Sequence, residues 1–136
     1  MKTNPASAFT VLLGFSQTNT RDKLSVMFSK WDFTILTAVS GKELLNAFVG
    51  HPETSLVILA VDLGDTNGFE IIKQIRSFRD DIPVFLLAAY ISFESLKLAS
   101  LLGCNEILQA PVGEKELKSL VSKYLFNSYT DIHEPV

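Results

Sequence analysis

A chain of 136 residues suits one domain and is long enough to close one sizeable core; with 47% hydrophobic and 20% charged residues, disorder is a poor description of the whole. The net charge of −3 argues against a nucleic-acid surface built from charge alone. A single cysteine, Cys104, excludes an internal disulfide and fits a reducing compartment. The first eight residues are short and mostly polar, unlike a secretory signal. The longest apolar run, residues 82–91, is about half of what a membrane-spanning helix needs. A cytoplasmic protein with no role in the membrane is the expectation.

In chain order, an apolar run at 9–13 (FTVLL) opens the pattern, and Leu24, Met27, Phe28 and Trp31 then recur at i, i+3, i+4, i+7, the stripe of a helix. A second apolar run covers 34–39. Ser40 with Glu43 three residues on forms a capping box ahead of Leu44, Leu45, Phe48 and Val49, and Gly50 and Pro52 end that helix. The run 56–61 barely alternates, so it is expected to be buried on both faces. Asn67-Gly68 leads into Ile71, Ile72, Ile75 and Phe78. Another unbroken run spans 83–88. Ser92 is placed to cap a helix carrying Leu96, Leu98, Leu101 and Leu102, with Gly103 as its stop. A short run at 106–108 precedes a last helix. Glu114 and Glu116 sit in its first turn, where the helix dipole favours them, followed by Leu117, Leu120, Val121, Tyr124 and Leu125.

Strand and helix thus alternate five times. That order predicts an α/β fold, a doubly wound (βα)5 unit with a five-stranded parallel sheet and right-handed crossovers. The domain is expected over 9–126, between a loose N-terminus at 1–8 and a tail or linker at 127–136. Ligands of such sheets bind outside the carboxyl ends of the strands, here 14–17, 60–65, 88–90 and 109–112.

Residues 56–70 (LVILAVDLGDTNGFE) resemble response-regulator receiver domains of the CheY-like type, in which an apolar strand ends in a phosphoacceptor aspartate and an Asn-Gly or Asp-Gly opens the third helix. Residues 81–90 (DIPVFLLAAY) look like that family's fourth strand, and 103–112 (GCNEILQAPV) like its fifth strand and Lys-Pro turn. The resemblance covers about residues 9–126 and implies the strand order 2-1-3-4-5. It also implies a chemistry. Two acidic residues after the first strand hold Mg2+ together with the acceptor, a hard ion that wants oxygen ligands. A Thr or Ser after the fourth strand and a Lys after the fifth bind the phosphoryl oxygens.

Carried over position by position, these roles fall on side chains without that chemistry. The acidic pair falls on Phe15 and Ser16, or on Gly14 and Phe15 if the register slips by one. The acceptor falls on Ala60, the hydroxyl on Ala88 and the lysine on Ala110. The aromatic that swings in many members falls on Ile107, and the proline after the acceptor is Gly64. The resemblance therefore implies a receiver fold without its reaction. It would have no catalytic residue and no cofactor, its Mg2+ binding would be doubtful, and it would regulate by protein contact.

Two other readings stand beside it. Asp62 lies two residues beyond Ala60, on the same side of an extended strand, and with Asp65 offers a displaced metal or phosphate site. Alternatively the domain is a flavodoxin-like small-ligand binder using the hydroxyl-bearing segment 16–20 (SQTNT) at a helix N-terminus. Tyr90, Phe93 and Leu96 are expected to form a contact surface on the fourth helix with Ile107 nearby, while Leu98, Leu101 and Leu102 face the core. The expected partner is a protein of a two-component pathway, or a second copy in a homodimer. His51 and His133 have no carboxylate or cysteine at ligand spacing, and Lys42 and Lys73 are read as solvated.

Overall fold

The computed structural model describes residues 9–126; the two expected loose ends, and His133 with them, lie outside the described residues. Five strands and five helices alternate. They are β1 (Thr10–Gly14), α1 (Thr18–Lys30), β2 (Thr34–Ala38), α2 (Gly41–Gly50) and β3 (Leu56–Ala60), then α3 (Gly68–Phe78), β4 (Val84–Ala88), α4 (Phe93–Leu101), β5 (Glu106–Gln109) and α5 (Glu114–Val121), with a π-helical turn at Ser122–Phe126. The strands pair in parallel in the order β2-β1-β3-β4-β5. This is the doubly wound, CheY-like arrangement, and every strand falls on one of the apolar runs to within about a residue.

The unbroken apolarity of the inner strands follows from cover on both faces. Along β1, Val11 and Leu13 face one core with Ile58, Phe85 and Leu108, closed by Leu24 and Phe28 of α1 and Leu117 and Val121 of α5. Leu12 faces the other with Val57, Leu59, Val84 and Leu86, closed by Leu44 and Phe48 of α2 and Ile71, Ile72 and Ile75 of α3. Alternate residues of one strand thus serve opposite cores.

Side-chain caps fix where helices start. Ser40 accepts the N–H of Glu43 at 3.1 Å, and the Glu43 carboxylate reaches back to the N–H of Val39, one residue before the cap. Asn67 caps α3 by accepting from the N–H of Glu70 at 3.0 Å. Ser92 caps α4, and Ser95 returns the bond to the Ser92 N–H, a reciprocal box built from two serines.

Three expectations about the helices need correction. Val49 and Phe78 close their stripes in sequence yet are 59% and 62% exposed. Each lies on the last turn of its helix, where the sheet no longer covers it. Leu98 and Leu101 do not face the core either; they are 42% and 75% exposed. The buried residue of α4 is Ala99, flanked inward by Ser95 and Leu102, and Leu98 sits about 100° round the helix from it. Four leucines in seven residues cannot share one face of so short a helix.

Two arginines tie the amino ends of the strands together. Arg76 donates to the carbonyl of Gly103 from Nε and Nη2 at 3.0 and 2.7 Å, and from Nη2 to Asn105 Oδ1 at 2.9 Å. Asn105 Oδ1 also accepts the N–H of Val84 at 2.8 Å, so the arginine holds the cap of a buried strand. Arg79 donates to the carbonyls of Pro52 and Thr54, both at 3.1 Å. Replacing Arg76 by alanine strands these acceptors and should cost about 1–3 kcal/mol, read from urea unfolding. Cys104 lies against this bracket, its Sγ at 3.0 Å from the Glu106 carbonyl, and burial pushes its thiol up to about 11. The native thiol should therefore react with Ellman's reagent at least about a hundredfold more slowly than the unfolded chain.

Candidate functional site

The cleft lies where the sheet's strands end. The ladder places Ala60 beside Leu87 and Ala88 beside Gln109. One further hydrogen bond extends the pattern at each step, from Phe15 N–H to Ala38, from Val61 N–H to Leu87 and from Ala110 N–H to Ala88, at 2.8–3.2 Å. The carboxyl ends of β1, β3, β4 and β5 thereby open onto one depression of about 350 Å3. Phe15, Ser16, Ala60, Asp62, Ala88, Tyr90 and Ala110 line it together with Gln17, Thr20, Val61, Leu87 and Ala89. All five positions given by the resemblance, Phe15, Ser16, Ala60, Ala88 and Ala110, are brought together here. Phe15 is 2% exposed and Ala88 4%, and Ser16 lies at the exposed mouth.

Gly68 sets the floor under Ala60. Its N–H donates to the Val61 carbonyl at 2.7 Å, and a Cβ built on it would collide with the Ala60 carbonyl oxygen and lie 2.7 Å from Leu86 Cδ1. The Asn67-Gly68 pair is thus a close approach of helix start to strand end. Between them the loop closes on itself. Asp62 Oδ1 accepts the Gly64 N–H at 2.9 Å, and Gly64 takes a left-handed φ of +86° where the family carries proline.

The two carboxylates of this loop part company. Asp62 is exposed and lines the cleft. Asp65 leaves it for the N-terminus of α2, where its oxygens accept the N–H groups of Gly41 and Lys42 at 2.8 and 3.0 Å. It is a helix cap and does not join Asp62 in one ligand set. Those N–H groups, Gly41 first, hold its carboxyl below the usual value of 3.8. Because the folded value is the lower one, the cap contributes in full above the unfolded value and is lost as pH falls through it toward the folded one. Asp65→Asn should flatten the acid side of the stability profile below about pH 5 and leave the neutral side parallel to wild type, measured by urea midpoints across pH.

Of the segment 16–20, Ser16, Gln17 and Thr20 line the cleft, whereas Thr18 pairs with Arg21 at 3.4 Å. A second cavity of about 260 Å3 adjoins the first and shares Thr20, Leu87 and Ala110; Lys23, Leu24, Pro111 and Val112 complete it. Lys23 escaped the sequence reading, although its i, i+3 spacing from Thr20 places the two on one face of α1. Ile107 is half-buried against the second core, so it does not belong to the exposed surface of α4. That surface comprises Tyr90, Phe93, Leu96, Leu98 and Leu101. The Ala110-Pro111 peptide bond in the turn after β5 is cis.

The sheet order, the cleft at the strand ends and the Asn-Gly start of α3 define a receiver fold. The family model of the response regulator receiver domain matches residues 17–122, and the chain belongs to that family. Among curated proteins it is similar to the response regulator SaeR of Staphylococcus aureus, 24% identical over 115 residues, which is 85% of this chain and 50% of that protein. The chain therefore spans about half the length of the curated relatives it matches. Its fold is that of a chain in the CheX-CheY-BeF3-Mg+2 complex from Borrelia burgdorferi, with a TM-score of 0.82 at 20% identity over 89% of this chain and 97% of that one. It is equally close to a chain in the complex of Ypd1 with the receiver domain of Ssk1 from Saccharomyces cerevisiae, with a TM-score of 0.82 at 22% identity over 93% of this chain and 94% of that one. Among the described residues no helix is long and apolar enough to cross a membrane.

Proposed function

We propose that this receiver domain signals by protein contact without phosphorylation and is not an enzyme. The observation that carries the reading is that Phe15, Ser16, Ala60, Ala88 and Ala110 meet in one cleft. An alanine offers no oxygen to a phosphoryl donor, and Ala110 itself carries no cation to hold a phosphate. The donor set does not fit Mg2+. Among the described residues Asp62 is the sole carboxylate lining the cleft, and one of its oxygens already accepts from Gly64. Among the described residues no three acidic, His or Cys side chains cluster as a metal site would require.

The exposed face of α4 supports contact as the output. Tyr90, Phe93 and Leu101 are each at least 75% exposed, more than an isolated soluble surface usually leaves bare in one place. The partner this face fits best is a second copy. Pairing two α4 helices antiparallel about a two-fold axis sets Glu94 against Lys97 and Phe93 against Leu98, each pair occurring twice.

The experiment is incubation with acetyl phosphate and Mg2+, followed by intact mass measurement and sedimentation. The expected result is an unchanged mass, with a dimer that Phe93→Glu and Leu101→Glu convert to monomer. A stable adduct of one phosphoryl group that Asp62→Ala abolishes would overturn the reading in favour of a relocated acceptor. A wild-type monomer at all concentrations would assign the α4 face to a different protein of a two-component pathway.

A further inference from the structure

The cleft and the cavity beside it adjoin, with Thr20, Leu87 and Ala110 lining both, so a single ligand could bridge the two. Their volumes, about 350 and 260 Å3, place the space in the range of small-ligand sites. It lies at the carboxyl ends of β1 and β3, where the strand order 2-1-3 reverses direction, the usual ligand position of a doubly wound sheet. Phe15, Leu87 and the methyl groups of Ala60, Ala88 and Ala110 make its floor apolar, a surface that water wets poorly.

Its two charged side chains line different cavities, while Ser16, Gln17 and Tyr90 add polar groups to the first. Asp62 lines the first cavity. Lys23, exposed on α1, lines the second and has no ion-pair partner among the described residues. Thr20 lies between them, with a hydroxyl available to either cavity. The neighbouring cation is committed elsewhere, since Arg21 donates to the Phe15 carbonyl at 2.9 Å. A ligand with an apolar body and one negative end would meet attraction at Lys23 and repulsion at Asp62, which fixes its direction.

We infer that this space binds a small organic carboxylate, an aromatic or short aliphatic acid of about ten to fifteen non-hydrogen atoms, with its apolar body over Ala60, Ala88 and Ala110 and its carboxylate at Lys23. Tyr90 lines the same cleft and begins the exposed α4 surface, so an occupant touches a residue of the contact face directly. The inference rests on the cleft's shape and charge and goes beyond the reading above; its failure leaves that reading standing.

The test is an amide NMR titration of the whole chain with phenylacetate and with octanoate, each compared with its neutral amide. The expected result is saturable shifts at Thr20, Lys23, Ala60, Ala88 and Ala110 with at least one acid, the better probe telling an aromatic from an aliphatic ligand. Lys23→Gln should weaken the acid at least about threefold and leave the amide unchanged. Ala88→Leu, which fills the floor, should abolish both. Since that variant places a larger side chain at the buried end of β4, Lys23→Gln carries the test if it misfolds. Absence of saturable shifts up to about 10 mM of either acid, or equal binding of acid and amide by wild type and Lys23→Gln, would overturn the inference.

Discussion

Replacing Phe28 by alanine should destabilise the domain by about 3–5 kcal/mol, a large part of what a chain this size has to lose. Phe28 is fully buried on α1. Its ring meets Trp31 at 5.0 Å and Phe33 at 4.9 Å edge to face, and Phe33 in turn stacks on Phe9 at 5.9 Å. Truncation removes the hub of this aromatic group and leaves a cavity beneath β1 that the sheet cannot collapse into. The thermal midpoint should fall by about 10–15 °C with the fold retained at low temperature, as followed by circular dichroism. Phe28→Leu, which keeps most of the volume, should recover more than half of the loss.

Gly68→Val should be nearly as costly and should also disturb the cleft. The added Cβ meets the Ala60 carbonyl, a backbone group at the last residue of β3, and the buried Leu86 side chain. Neither can swing away, so α3 must lift from the end of β3, at a cost of about 2–3 kcal/mol from overpacking. Valine adds a branched side chain at a helix start, a position it occupies without backbone strain elsewhere, so the loss reports the close approach alone. Amide shifts in the variant should concentrate at 60–62 and 86–88. A variant as stable as wild type with an unshifted cleft would mean that the approach is not held in solution.

The strands were legible because burial on both faces leaves runs such as 56–60 and 84–88 with no polar interruption. The helices α1, α3 and α5 declared themselves by stripes that the cores bury, Phe78 at the end of α3 excepted. The helix α4 did not, because its leucines are spread round the axis and Ala99, a small residue with no strong signal, makes the inward contact. The cleft was legible by counting from Gly68, Pro83 and Pro111 to the alanines at 60, 88 and 110. What the sequence hid were pairings between distant positions. Asp65 caps a helix that starts 24 residues earlier, Arg76 reaches a carbonyl 27 residues later, and Lys23 lines the adjoining cavity together with Pro111 and Val112, nearly ninety residues later. No local period records such meetings.

We propose that the cleft has no phosphoryl or magnesium chemistry, and an amide NMR titration with Mg2+ followed by beryllofluoride, the phosphoryl mimic, tests this most directly. No saturable shifts are expected at Phe15, Ala60, Asp62, Ala88 or Ala110 with either addition. Saturable shifts centred on Asp62 and its loop, lost in Asp62→Ala, would contradict it and make the domain a phosphate-sensing regulator with a displaced acceptor.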